Sequence, residues 1–121
     1  MKNILIIDDD ELVCRLISKL IQPYDVLITN AKNGQEANKL LQDNKKYDVI
    51  FLDLILPYIS GWDLLTVIRN DPATKNTPVI IITGFSLSHE ETEKLEGKVS
   101  AVISKTTFKR AEFETLMKKL L

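Results

Sequence analysis

Apolar residues follow two rhythms along this chain, short unbroken runs and stripes spaced three and four apart, and the two alternate from one end to the other. Ile4-Leu5-Ile6-Ile7, Val49-Ile50-Phe51-Leu52 and Val79-Ile80-Ile81-Ile82 are continuous runs rich in strand formers. A run with no polar alternation fits a strand covered on both faces, as in the middle of a parallel sheet. Each run stops at a polar side chain: Asp8, Asp53 and Thr83. Two weaker strands are predicted over Asp25–Thr29 and Val99–Ile103.

The helical stripes lie between these runs. Leu12, Val13, Leu16, Ile17, Leu20 and Ile21 mark one face of a helix that Pro23 brings to a stop. Further helices are predicted over Gln35–Gln42 after the turn Asn33-Gly34, over Gly61–Asn70 before Asp71-Pro72, over Ser88–Leu95, and over Phe108–Leu120. Strands that alternate with helices pair in parallel, because parallel neighbours need a crossover and the crossover is almost always right-handed. The expected fold is α/β, a doubly wound five-stranded parallel sheet. No linker, low-complexity tract or repeat beyond this alternation breaks residues 1–121, so one domain without an effector domain is expected.

Composition narrows the functional classes. The 121 residues are 45% hydrophobic and 27% charged, close to the globular average. Sixteen basic against seventeen acidic residues leave a net charge of −1, which supplies no overall pull toward nucleic acid or an anionic membrane. The lone Cys14 rules out an internal disulfide, and the apolar runs are too short for a membrane span or a secretory signal. A cytoplasmic protein is expected.

In an open α/β sheet, ligands bind outside the carboxyl ends of the strands. Asp8 and Asp9, Asp53, Thr83 and Lys105 all fall there, brought from distant parts of the sequence. Three carboxylates in one pocket repel unless a cation offsets them, and oxygen ligands suit a hard ion such as Mg2+. With that charge offset, Asp53 has the chemistry of a nucleophilic phosphoryl acceptor, Lys105 of a charge partner and Thr83 of a hydrogen-bond donor. Each residue also has a plain structural reading: Asp8, Asp9 and Asp10 as helix caps, Asp53 as a turn residue, Lys105 as a solvated charge. His89, beside Glu90 and Glu91, reads as a surface residue, Trp62 as packing at a helix entrance, and Cys14 as a quiet small residue.

As a set, the motifs resemble the receiver domains of bacterial response regulators over essentially the whole chain. Ile4 to Asp9 resembles the first strand and acidic pair, Asp53-Leu54-Ile55-Leu56-Pro57-Tyr58-Ile59-Ser60-Gly61 the phosphorylation loop, and Thr83-Gly84 with Lys105 the remaining signature. The resemblance implies a flavodoxin-like (βα)5 fold with strand order 2-1-3-4-5, as in chemotaxis regulators. It implies Asp53 as phosphoacceptor assisted by Thr83 and Lys105, with Mg2+ held by Asp8, Asp9, Asp53 and the backbone carbonyl of Ile55. It also implies a histidine kinase or histidine phosphotransfer protein upstream and a protein target downstream, with no catalysis beyond the domain's own phosphorylation and dephosphorylation. Ile55 and Phe85, second after Asp53 and Thr83, would flank the approach of water to the phosphoryl group. The family's usual docking face maps to the first helix, where Cys14 and Ser18 lie one turn apart and predict a small-residue surface for a partner.

Two positions depart from the family pattern: Thr106 stands where proline usually follows the lysine, and Val102 where Tyr or Phe is usual. They favour an alternative in which the domain is a pseudo-receiver, an interaction module no longer switched by phosphorylation. A haloacid-dehalogenase-type phosphatase would need a threonine in the Asp8-Asp9-Asp10-Glu11-Leu12 segment, which has none. A flavodoxin would need a phosphate-binding loop where this chain is acidic.

Overall fold

The computed structural model describes residues 1–43 and 46–121. The described residues form strands β1 (Lys2–Ile7), β2 (Val26–Ala31), β3 (Val49–Asp53), β4 (Val79–Thr83) and β5 (Ala101–Ser104), alternating with helices α1 (Glu11–Ile21), α2 (Gly34–Gln42), α3 (Gly61–Asn70), α4 (His89–Leu95) and α5 (Arg110–Leu120). All strand pairs are parallel, in the order β2-β1-β3-β4-β5. Strand order reverses at β1, which has β2 on one side and β3 on the other. The crevice over the carboxyl ends of β1 and β3 is therefore the topological switch point.

The unbroken apolar runs are explained by two cores, one on each face of the sheet. Leu5, Ile7, Ile50, Leu52, Val79 and Ile81 pack with Ala37 and Leu41 of α2, Leu64, Leu65 and Ile68 of α3, and Leu95 of α4. Their neighbours in sequence, Ile4, Ile6, Val49, Phe51, Ile80 and Ile82, pack with Cys14, Ile17 and Ile21 of α1 and Phe113 and Met117 of α5. Successive strand residues point to opposite faces, so a strand buried on both sides must be apolar at every position.

Some boundaries differ from the sequence expectation, each for a local reason. Asp25 lies at φ 55, a left-handed turn that ends a short 3-10 helix, so β2 begins one residue later and runs on to Ala31, the partner of Ile7. β5 starts at Ala101 and extends to Ser104, which pairs with Thr83. Phe108 lies before α5, and its ring sits 5.5 Å from that of Phe113. Asn33, before the expected second helix, acts as an N-cap, and Ser88, expected as the first residue of the fourth, is instead its N-cap and forms a reciprocal capping box with Glu91.

The stripe on α1 is less one-sided in its burial than its sequence implies. Cys14, Ile17 and Ile21 are buried, whereas Leu12 and Leu16 are 73% and 45% exposed. This corrects the expected small-residue docking surface. Cys14 faces inward, its thiol 3.7 Å from the Asp8 carbonyl oxygen, and it offers nothing to a partner helix. Burial, with the charges of Asp8 and Asp10, pushes the thiol up to about 11, so it is inert at neutral pH.

Candidate functional site

Three consecutive aspartates follow β1, and the fold gives them different work. Asp10 is the N-cap of α1, its Oδ1 accepting from the amides of Leu12 at 3.0 Å and Val13 at 3.4 Å. Capping is thus met by Asp10 alone. Asp8, held by its amide to the Ala31 carbonyl at 3.0 Å, is buried, and Asp9 is exposed. Carboxylate oxygens of Asp8, Asp9 and Asp53 lie within 4.8 Å of one another.

Asp53 is the last residue of β3 and is buried. Its Oδ1 accepts from the Ile55 amide at 3.0 Å, which orients the carboxylate toward the crevice. The loop beyond it is pinned at Gly61, whose amide donates to the Leu54 carbonyl at 3.0 Å. A Cβ at Gly61 would collide with the Asp53 carbonyl oxygen and the Leu54 Cα, so the position tolerates only glycine. Tyr58 in this loop adopts φ 69 and is spanned by a hydrogen bond of 2.8 Å from the Ile59 amide to the Pro57 carbonyl, a tight three-residue turn.

Lys105 reaches this cluster from the far side. Its backbone amide donates to the Thr83 carbonyl at 2.8 Å, placing it directly after the paired ends of β4 and β5. Its ammonium is 3.1 Å from Asp53 Oδ2 and forks onto Asp8, 3.3 Å from Oδ1 in a hydrogen bond and 3.1 Å from Oδ2 as an ion-pair contact without hydrogen-bond geometry. Burial opposes charge on this ammonium, but the hydrogen bonds and charges of Asp53 and Asp8 win and raise it above the ordinary lysine value.

The opposite pressure acts on Asp8. Burial pushes its carboxyl from 3.8 up to about 6, and the Asp53 charge adds to this, while the Asp10 amide and Lys105 pull the other way. One ammonium does not neutralise three carboxylates. The surplus charge, the all-oxygen donor set and an Asp8 oxygen buried without a hydrogen-bond donor together fit a hard divalent cation.

The structure therefore gathers Asp8, Asp9, Asp53 and Lys105 as expected. Thr83 ends the neighbouring strand, but its hydroxyl is engaged with its own loop, accepting from the Phe85 amide at 3.2 Å and 3.3 Å from the Phe85 carbonyl. Ile55 touches the site through its amide, and Ile55 and Phe85, each two residues beyond a site residue, are 58% and 66% exposed. His89 is a surface residue paired with Glu93 at 2.9 Å, and Trp62 packs partly buried against the core. Sequence reasoning passed over Ser104, whose hydroxyl organises the turn after Lys105. The signal was the run of hydroxyl residues, Ser104, Thr106 and Thr107, around the lysine.

A site of this kind, at the switch point of a 2-1-3-4-5 sheet, defines a class. The family profile described as response regulator receiver domain matches residues 4–119, and the chain belongs to that family. The chain is 31% identical to the polar-differentiation response regulator DivK of Brucella anthropi over 104 residues, covering 86% of this chain and 84% of DivK. It is 38% identical to the transcriptional regulatory protein SrrA of Staphylococcus aureus over 95 residues, 78% of this chain but only 36% of SrrA. Among solved structures, the response regulator TrrA of Thermotoga maritima, in complex with Mg2+ and BeF, superposes with a TM-score of 0.81 at 30% identity, covering 100% of both chains. No helix among the described residues is long and apolar enough to cross a membrane.

Proposed function

We propose that the chain is a phospho-accepting receiver in which Asp53 takes a phosphoryl group from the phosphohistidine of a histidine kinase or histidine phosphotransfer protein. The observation that carries this reading is the Lys105 ammonium 3.1 Å from Asp53 Oδ2 and from Asp8 Oδ2, beside Asp9. A domain kept only as a binding platform has no use for that arrangement, which places a buried carboxylate among like charges at a cost in stability. This argues against the pseudo-receiver alternative.

In the transfer, an Asp53 carboxylate oxygen forms a bond to phosphorus as the phosphorus–nitrogen bond of the donor breaks, and the electron pair leaves with the imidazole. Asp8, Asp9, Asp53 and, by resemblance, the Ile55 carbonyl would hold Mg2+, which when bound offsets negative charge on the transferring group. Lys105 moves from its carboxylate partners to a phosphoryl oxygen, its ammonium being already at the acceptor. The Thr83 hydroxyl turns from Phe85 to donate to another oxygen, and that turn links the site to the β4–α4 loop. The domain acts on itself and turns over no external substrate.

The exposed Leu12 and Leu16, one turn apart on the α1 helix that follows the acidic cluster, support a protein donor docking there. The lone, buried Cys14 is consistent with a reducing cytoplasm. Intact-mass measurement after incubation with acetyl phosphate and Mg2+ tests the chemistry: one phosphoryl increment is expected, absent in Asp53→Asn and absent with a chelator. An increment that survives either change overturns the assignment. Leu12→Arg with Leu16→Arg should block transfer from the protein donor and spare labelling by acetyl phosphate; loss of both or of neither removes the docking face.

A further inference from the structure

Lys105 has backbone anchors on both sides, and only one of them belongs to the sheet. Before it, Ser104 pairs with Thr83 in the β4–β5 ladder, and the Lys105 amide donates to the Thr83 carbonyl at 2.8 Å. After it, the chain leaves the sheet and must turn toward α5. Here Thr106 brings a backbone N–H where the family usually has a proline with none, and that N–H needs an acceptor. Ser104 supplies it. Its Oγ accepts from the Thr106 amide at 3.2 Å and the Thr107 amide at 3.3 Å, and lies 2.9 Å from the Thr106 hydroxyl.

We infer that Ser104 is a positioning residue for Lys105, replacing with a side-chain hydrogen-bonded turn the stiffness that a proline ring would give the segment carrying the catalytic ammonium. The inference rests on the proposed phosphoryl transfer. Lysine is a flexible four-carbon stem, so the place of its charge depends on where its backbone is held. Lys105 Nζ must meet two carboxylates at 3.1 Å, and a shift of about 1 Å at a catalytic group can cost as much as 10²-fold in rate. The turn is partly open to water, which substitutes in part for the lost hydroxyl, so about tenfold is the effect to expect from its removal.

Ser104→Ala should slow labelling of Asp53 by acetyl phosphate about tenfold, speed hydrogen exchange at the Thr106 and Thr107 amides, and leave Mg2+ affinity and the urea midpoint near those of the natural chain. Ser104→Thr keeps the hydroxyl and should restore the rate. Thr106→Val keeps the N–H and should label almost normally. A natural rate in Ser104→Ala, or equal losses in Ser104→Ala and Ser104→Thr, overturns the inference. If the natural chain takes no label at all, the proposed function fails and the positioning question is decided by NMR of the metal-free protein. There Ser104→Ala should shift and broaden the Lys105 side-chain resonances while Ser104→Thr leaves them in place, and unchanged resonances in Ser104→Ala overturn it.

Discussion

The middle of the sheet and its β5 side are built to different standards of burial. Every residue of β3 and β4 is buried, and so are Ile4 to Ile7 of β1. β5 has no fully buried residue, Val102 is exposed, and the adjoining α4 buries only Leu95. The first region carries Asp8, Asp53 and Thr83; the second begins at the helix that follows the Thr83 loop. Chemistry that depends on tenths of an ångström sits on the close-packed strands, whereas segments with few buried apolar contacts open at low free-energy cost. Under the proposed function, a change at Thr83 would be delivered to a part of the molecule with few buried contacts. Lys105 stands at the boundary, which is why the turn behind it matters.

The sharpest test of this contrast is a pair of truncations. Phe51 is fully buried in β3 with its ring centroid 6.0 Å from that of Phe113, so Phe51→Ala should cost about 3–5 kcal/mol in urea unfolding. Val102→Ala, on the exposed strand, should stay within about 0.5 kcal/mol. Comparable costs would mean the β5 side is as firmly packed as the centre.

A second test concerns the loops that join the regions. Ile55 and Phe85, which by resemblance flank the approach of water, are exposed and apolar, and neither side chain can orient a water molecule for attack on the aspartyl phosphate. The phosphorylated protein is therefore expected to be long-lived. Ile55→Asn, Phe85→Glu or both should speed its decay on the order of tenfold, the effect of about 1.4 kcal/mol of barrier. Decay of the natural chain within seconds, or no acceleration in any variant, contradicts this.

The smallest effect comes from the charge of the central region. Asp8, raised to about 6, must lose its proton to bind a cation, so Mg2+ affinity should be flat above that pH and fall by up to about tenfold per unit below it, as read by calorimetry. The metal-free protein should show the reverse trend in stability. Between 3.8 and about 6 the native carboxyl holds a proton that the unfolded one releases, so this group's contribution is fully present below 3.8 and is lost as pH rises through 6. An Mg2+ affinity that does not change between pH 7.5 and pH 5 would place Asp8 outside the cation site.

Much of this protein was legible in its sequence, because burial on two faces leaves a local mark. The three apolar runs, alternating with helical stripes, read as central strands of a covered parallel sheet, which puts the polar residue closing each run at one edge. Asp8, Asp53 and Thr83 were identifiable for that reason, and Asp9 and Lys105 by their places in the loops that leave the first and fifth strands. The weaker strands were placed less well, since half-exposed β2 and β5 lack a continuous pattern, and their ends depend on the left-handed turn at Asp25 and on pairing with Ile7 and Thr83. Periodicity also put Leu12, Leu16 and Ile17 on one stripe, and only the packing of α1 against the sheet exposed the two leucines while burying Cys14. The division of three adjacent aspartates into one cap and two cluster members and the fork of Lys105 between Asp8 and Asp53 were decided by tertiary structure, whereas the Ser104 turn left a local trace in the run of hydroxyl residues around the lysine. The fork joins residues up to 97 positions apart, and a linear pattern carries no record of such distances.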